Sequence, residues 1–134
     1  MELKVNINDE LLKKIVAMAL EECSREWYVL NPEDIEVVRK THHPDLRDKL
    51  TQYQMIANAV VSKNFNLPIM DFNDEDELLG GLSLSTLKHG ILIMSKKEPQ
   101  SLIKLLDGQC DIELSDAILQ YSILGIKITK QQSA

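Results

Sequence analysis

The fold is best predicted from residues 107–125, which read DGQCDIELSDAILQYSILG. Gly108 and Gly125 bracket this stretch, and glycine often ends a helix because it adopts the left-handed conformation at little steric cost. Ser115 is predicted to cap the helix that lies between them. Its inward residues recur at helical spacing: Ala117, Ile118, Tyr121 and Leu124. The stretch therefore predicts an acidic loop followed by a short helix.

Residues 3–23 predict a strand that leads into a helix. The first apolar residues alternate with polar ones, as in a half-buried strand: Leu3, Val5 and Ile7. Asn8 supplies a cap, and Asp9 and Glu10 place negative charge where a helix N-terminus favours it. Apolar residues at helical spacing then run from Leu11 to Cys23. This pattern is typical of a helix that packs one face on a core.

The middle of the chain predicts two strands and one helix. Pro32 breaks the apolar run that begins at Trp27, and the β-branched segment 35–38 is interpreted as a strand. A helix is predicted from Pro44 through Val61, because apolar residues recur there at helical spacing. A further strand is predicted over residues 67–72, and Pro68 indicates that this strand lies at a sheet edge or begins there.

The remaining elements decide the fold class. Ser83 or Ser85 is predicted to cap a helix that ends at Lys97, and Pro99 starts a short helix that Gly108 ends. Ile126 and Ile128 predict a terminal strand. The expected fold is therefore a helix-rich α+β fold, in which four to five helices cover one face of a small antiparallel sheet. Residues 1–134 are expected to form a single domain.

Composition excludes several classes of protein. The net charge of −6 argues against non-specific binding to nucleic acid. No run of about 18 apolar residues exists, so no membrane span is expected. The start of the chain does not resemble a signal peptide. Cys23 and Cys110 form no paired motif, which favours reduced thiols in a cytoplasm.

Motifs for catalysis, cofactors and metals are weak throughout. The acidic segment 71–77 lacks the glycine and the final glutamate of a calcium loop. No elbow serine and no phosphate-binding loop is present. The sequence therefore predicts no catalytic residue, no cofactor and no metal site, and it favours a non-enzymatic protein over an enzyme of unrecognised class.

Two alternatives remain for a binding site. The first is a protein-contact surface that consists of Trp27, Tyr28, Asp74, Glu75, Asp76 and Glu77. The second is a pocket for a small molecule or a nucleotide derivative, where the loop with His42 and His43 would meet Gly80 and Gly81. Glycines allow a ligand to approach the backbone closely. A concave apolar pocket with convergent polar groups would favour the second alternative, and a flat apolar patch with a charged rim the first.

Three blocks of the sequence resemble a family of small uncharacterised proteins encoded by phages and prophages of Firmicutes and related bacteria. The first block joins Val5 and Ile7 to Ala19-Leu20-Glu21 and Trp27. The second runs from Leu84 through Gly90-Ile91 to Met94 and Pro99. The third joins Asp111 to residues 115–121 and Gly125. Residues 40–77 carry no likeness to the family.

The resemblance implies a phage origin and a host cytoplasm, and it carries over no catalytic residue. A short acidic chain without catalytic motifs is then expected to engage a host or phage protein, and the inhibition of a bacterial defence system is one such role. A homodimer is also expected, because the helical stripes are broad and the strand near 67–70 invites pairing.

Overall fold

The computed structural model describes residues 7–23, 27–74 and 76–125, apart from the side chains of Glu22 and Cys23. Within them the chain forms seven helices and three strands. The helices are α1 Asp9–Cys23, α2 Pro32–Lys40, α3 Pro44–Arg47, α4 Gln52–Ser62, α5 Leu84–Lys97, α6 Pro99–Leu106 and α7 Ile112–Leu124. The strands are β1 Tyr28–Val29, β2 Leu67–Asp71 and β3 Leu78–Leu82. None of these helices is both long and apolar enough to cross a bilayer.

The three strands form an antiparallel sheet in the order β1-β2-β3. Tyr28 pairs with Asp71 at the β1 side, and Leu67 pairs with Leu82 at the β3 side. The register of the second pair shifts between Ile69 and Met70, so that Met70 lies opposite Leu78. This sheet and the surplus of helices confirm the predicted helix-rich α+β fold.

The core lies where α1 packs on α4 and α7, and where α5 packs on α7. The predicted apolar stripe of α1 is confirmed, since Leu12, Ile15 and Val16 are fully buried. The sheet contributes its own buried side chains: Tyr28, Leu67, Ile69 and Leu82. Burying such side chains stabilises the fold by about 1.5–3 kcal/mol each.

Helix caps explain where several elements begin. Thr51 and Gln54 form a reciprocal capping box at α4, and Ser83 and Thr86 form another at α5. The prediction that Ser83 caps the helix is therefore confirmed. Gly125 ends α7 in the left-handed conformation, with φ 73°, as predicted.

The predicted cap of α7 was wrong. The Asp111 side chain accepts a hydrogen bond from the Leu114 amide at 2.7 Å, so α7 begins at Ile112 and not after Ser115. Ser115 lies inside the helix and is fully buried. An aspartate can cap as well as a serine, and the earlier of the two positions takes the role here.

Segment 35–38 is part of a helix, and its prediction as a strand was wrong. The Asn31 side chain accepts a hydrogen bond from the Glu33 amide at 3.0 Å, and Pro32 occupies the first turn of α2. Proline suits that position because its missing amide would have no helical partner. The same residue that breaks the preceding segment therefore starts α2, and Val38 is buried against α4.

Two further predictions were wrong in part. The helix expected from Pro44 through Val61 is two helices, because Thr51 starts the new helix α4. β2 is the central strand and not an edge, yet Pro68 precedes the residues that pair with β1, namely Met70 and Asp71. Its missing amide therefore costs no hydrogen bond to β1.

One strand of the sheet was not predicted, and the two predicted terminal strands lie mostly outside the described residues. β3 was not predicted, because Gly80 and Gly81 weaken a strand pattern. The strand expected at residues 3–7 lies outside the described residues except for Ile7, and the strand expected at Ile126 and Ile128 lies wholly outside them.

Helices α5 and α7 cross so closely that the contact requires glycine. A Cβ atom added to Gly90 would collide with the hydroxyl oxygen of Ser122, and it would lie 2.6 Å from the Ser122 backbone nitrogen. The backbone of one helix must therefore move before any side chain fits at residue 90.

We predict that Gly90→Ala lowers the free energy of unfolding. Alanine favours a helix over glycine by about 1 kcal/mol, whereas overpacking a core costs about 1–3 kcal/mol. A net decrease of about 1 kcal/mol or more in the free energy of unfolding, measured with urea, would therefore be evidence for the collision. His89→Ala, at the exposed neighbouring position, is the control. A melting temperature of Gly90→Ala equal to or above that of the wild type would contradict the close crossing.

We also predict that, as the pH rises above 10, the free energy of unfolding falls more steeply in the wild type than in a Tyr121→Phe variant. The Tyr121 hydroxyl donates a 2.6 Å hydrogen bond to Glu98. Burial, helped by that hydrogen bond and by the charge of Glu98, raises the pKa of Tyr121 from 10.0 to about 12. The phenol ionises at a lower pH in the unfolded chain than in the folded chain. The stability that the protonated, hydrogen-bonded phenol contributes is therefore complete below pH 10 and is lost as the pH rises to about 12. If the free energy of unfolding fell equally with pH in the two proteins across that range, the assignment of the raised pKa to Tyr121 would be refuted.

Candidate functional site

The sheet carries apolar side chains on the face that the core does not use. Successive side chains of a strand point to opposite faces. Leu67 and Ile69 are buried in the core, so Pro68 and Met70 lie on the opposite face. We call this the outer sheet face, and define it by Val29, Pro68, Met70, Phe72 and Leu78.

The register assembles these residues from all three strands. Met70 pairs with Val29 in β1 and with Leu78 in β3, so the three side chains share a face. The Phe72 amide donates a hydrogen bond to the Trp27 carbonyl at 3.3 Å, which extends the pairing beyond β1. Phe72 is 46% exposed and Leu78 is 60% exposed. Large apolar side chains therefore reach solvent next to one another.

The loop between β2 and β3 adds negative charge beside this face. Asp74, Asp76 and Glu77 are exposed, and Glu75 lies outside the described residues. The Asp74 side chain accepts a hydrogen bond from the Asp76 amide at 3.1 Å, and the Asp74 carbonyl accepts one from the Glu77 amide at 2.9 Å. These bonds fix the backbone of Asp76 and Glu77 relative to Asp74, and we call Asp74, Asp76 and Glu77 the acidic loop.

Trp27 and Tyr28 lie opposite the end of β2 that leads into this loop, but they occupy different environments. Tyr28 is fully buried, and its hydroxyl donates to the Ala19 carbonyl at 3.3 Å. Trp27 is half-buried against the core, and its ring nitrogen donates to Asp116 at 3.0 Å. Trp27 therefore reaches the surface in part, whereas the Tyr28 side chain does not.

The residues of the second alternative, the predicted small-molecule pocket, have different structural roles. His42 is only 2% exposed, and its ring binds the Val38 carbonyl at 3.0 Å and the Asn58 side chain at 3.0 Å. His43 is exposed and caps α3. Gly80 packs towards Ile123, and Gly81 packs towards Asn66. His42 thus joins α2 to α4, while the two glycines belong to β3.

A groove that the sequence did not predict runs between α1 and the α3–α4 segment. Its volume is about 670 Å³. Its lining residues are Glu10, Lys13, Lys14, Ala17, Met18, Glu21, Leu46, Leu50, Gln54, Ala57, Asn58 and Ile112. The small side chains of Ala17 and Ala57 leave space between these two helices, but no local sequence pattern shows that the helices face each other.

The described residues offer little for redox or metal chemistry. Among residues 7–23, 27–74 and 76–125, no three His, Cys, Asp or Glu side chains lie close enough to hold a metal ion. The Cys110 sulfur lies 3.1 Å from the buried Ser115 hydroxyl. Comparison with protein-family models, with curated protein sequences and with solved structures finds no match.

We predict that His42→Ala lowers the free energy of unfolding by about 1–3 kcal/mol, because it leaves buried hydrogen-bonding groups without a partner. His89→Ala, at an exposed position of α5, is the matched control and should cost much less. Urea unfolding of both variants measures the difference. Equal stabilities for the two variants would show that His42 does not hold α2 to α4.

Proposed function

We propose that this chain is a non-enzymatic interaction protein that binds another protein through the outer sheet face and the acidic loop. The observation that carries the proposal is the pair of exposed side chains Phe72 and Leu78 on the face opposite the core. Exposed large apolar side chains that cluster on one surface favour a protein contact. The Trp27 ring lies apart from these side chains, because it packs against the core with its centroid 4.7 Å from that of the buried Tyr28 ring.

The acidic loop defines the chemistry of the partner. Protein interfaces combine an apolar centre with a polar rim, and complementary charge speeds association and excludes wrong partners. Asp74, Asp76 and Glu77 supply a negative rim on one side of the apolar residues. The partner is therefore a protein with an apolar centre and a lysine- or arginine-rich rim.

Charge also favours a different protein over a second copy at this surface. In a two-fold dimer through the outer sheet face, both acidic loops would share one interface, and the chain has a net charge of −6. Like charges in one interface oppose association. The predicted edge at residues 67–70 is not free for a homodimer, because β2 pairs with β1 and with β3, so we place any homodimer contact on another surface.

The resemblance to phage and prophage proteins supports a cellular setting for this interaction. In that setting the chain acts in the host cytoplasm on a host or phage protein, and the inhibition of a bacterial defence system is the role that we propose. A basic rim is common on proteins that bind nucleic acid, so a defence protein of that class suits an acidic inhibitor.

We predict that Phe72→Glu combined with Leu78→Glu removes partner binding. The wild type and the variant are used to capture proteins from the lysate of a phage-infected bacterial host, and the affinity for each captured protein is then measured. Loss of an interface centre costs at least about 2 kcal/mol, or about 30-fold in Kd. The expected result is a partner that the wild type retains and the variant does not.

The matched control is Ile103→Glu combined with Leu106→Glu. These α6 side chains are 64% and 53% exposed, so the control adds the same charge at equally exposed apolar sites. A partner that is lost equally from both variants, or from the control alone, would overturn the assignment of the interface. Higher salt should also slow association of the wild type, because the acidic loop steers the partner.

A further inference from the structure

We propose that the groove between α1 and the α3–α4 segment binds a small amphipathic anion, a molecule with an apolar chain or ring and one negatively charged head. This site is separate from the outer sheet face and goes beyond the proposed protein contact. Its volume of about 670 Å³ lies within the range of about 300–1,000 Å³ that is usual for ligand sites.

Apolar side chains from three parts of the fold line the groove. Ala17 and Met18 come from α1, Leu50 and Ala57 from the α3–α4 segment, and Ile112 from the start of α7. Leu46 and Ile112 are exposed, although they are large and apolar. An apolar ligand in the groove would remove these surfaces from water, at about 25 cal/mol for each Å².

One polar group of the groove is held in a fixed orientation. Because the Val38 carbonyl only accepts hydrogen bonds, the neutral His42 ring carries its proton on Nδ1, and its Nε2 atom accepts. Asn58 must therefore turn its amide nitrogen towards His42. Its amide oxygen has no hydrogen-bond partner among the described residues, and it remains available to a ligand hydroxyl or N–H group.

Positive charge lies at one end of the groove. Lys13 and Lys14 line that end, and Lys13 is paired with Glu10 at 3.7 Å. Glu21 lines the groove two turns further along α1. Glu10 lines the same end, and Lys13 neutralises it. Lys14 makes no ion pair among the described residues, so it is the cation that an anionic head would meet, while the apolar part of the ligand extends over Ala17 and Met18.

The concave shape favours a small molecule over a protein surface. Small-ligand sites are clefts with a few converging polar groups, whereas protein contacts are flatter. The groove offers the Asn58 amide oxygen and two lysines around an apolar floor.

The test compares dodecanoate with dodecyltrimethylammonium, which have the same chain length and opposite head charges. Both are titrated into the full chain by calorimetry, below the concentrations at which they form micelles. Since the protein carries a net charge of −6, non-specific attraction favours the cation. We expect dodecanoate to bind with a Kd below about 1 mM and at least about 10-fold more tightly than the cation.

Lys13→Gln combined with Lys14→Gln should weaken dodecanoate binding about 10-fold, which equals about 1.4 kcal/mol. Lys96→Gln combined with Lys97→Gln makes the same charge change at the end of α5 and should leave the affinity unchanged. Ala17→Phe should fill the groove and also weaken binding, with circular dichroism to check the fold.

Three outcomes would overturn the proposal. They are no binding of dodecanoate, equal binding of the two amphiphiles, and equal effects of the two lysine pairs. A captured protein whose binding is lost in Ala17→Phe would instead assign the groove to a protein partner. The three overturning outcomes do not involve Phe72 or Leu78, so they leave the proposed protein contact standing, whereas a captured protein lost in Ala17→Phe would count against the outer sheet face as well.

Discussion

The rest of the structure depends on one constraint, which is that a three-stranded sheet with apolar side chains on both faces packs its core on only one of them. The inner face holds the fold together through Leu67, Ile69 and Leu82. The outer face leaves Phe72 and Leu78 in contact with water, which costs free energy unless another surface covers them. The interface that we propose at this face would cover them and would also use the acidic loop beside it.

A second constraint fixes the helices that build the groove. Arg47 donates hydrogen bonds to the carbonyls of Arg39 and His42, both at 3.0 Å, and so satisfies backbone groups at the end of α2. His42 in turn binds Asn58 in α4. The same short connection that holds α2 against α4 therefore orients the Asn58 amide, and His42, which the sequence placed in a candidate ligand pocket, joins two helices.

The sequence predicted the parts of the fold that local chemistry decides. Ser83, Gly125 and the stripe of α1 were identified because caps and helical periodicity depend on neighbouring residues. Segment 35–38 was misread because its β-branched residues outweighed the start signal at Asn31 and Pro32. The acidic loop was recognised, but the outer sheet face was not, because Gly80 and Gly81 concealed β3. The groove depends on how distant helices pack, and no local pattern reports that.

The most direct measurement of the central claim is hydrogen–deuterium exchange of the chain alone and in complex with its captured protein. We predict that exchange slows at residues 27–30 and 67–78, where the sheet and the acidic loop would be covered, and is unchanged in α6. Slowed exchange confined to α5 and α6, or to the groove between α1 and α4, would contradict the assignment of the outer sheet face as the interface.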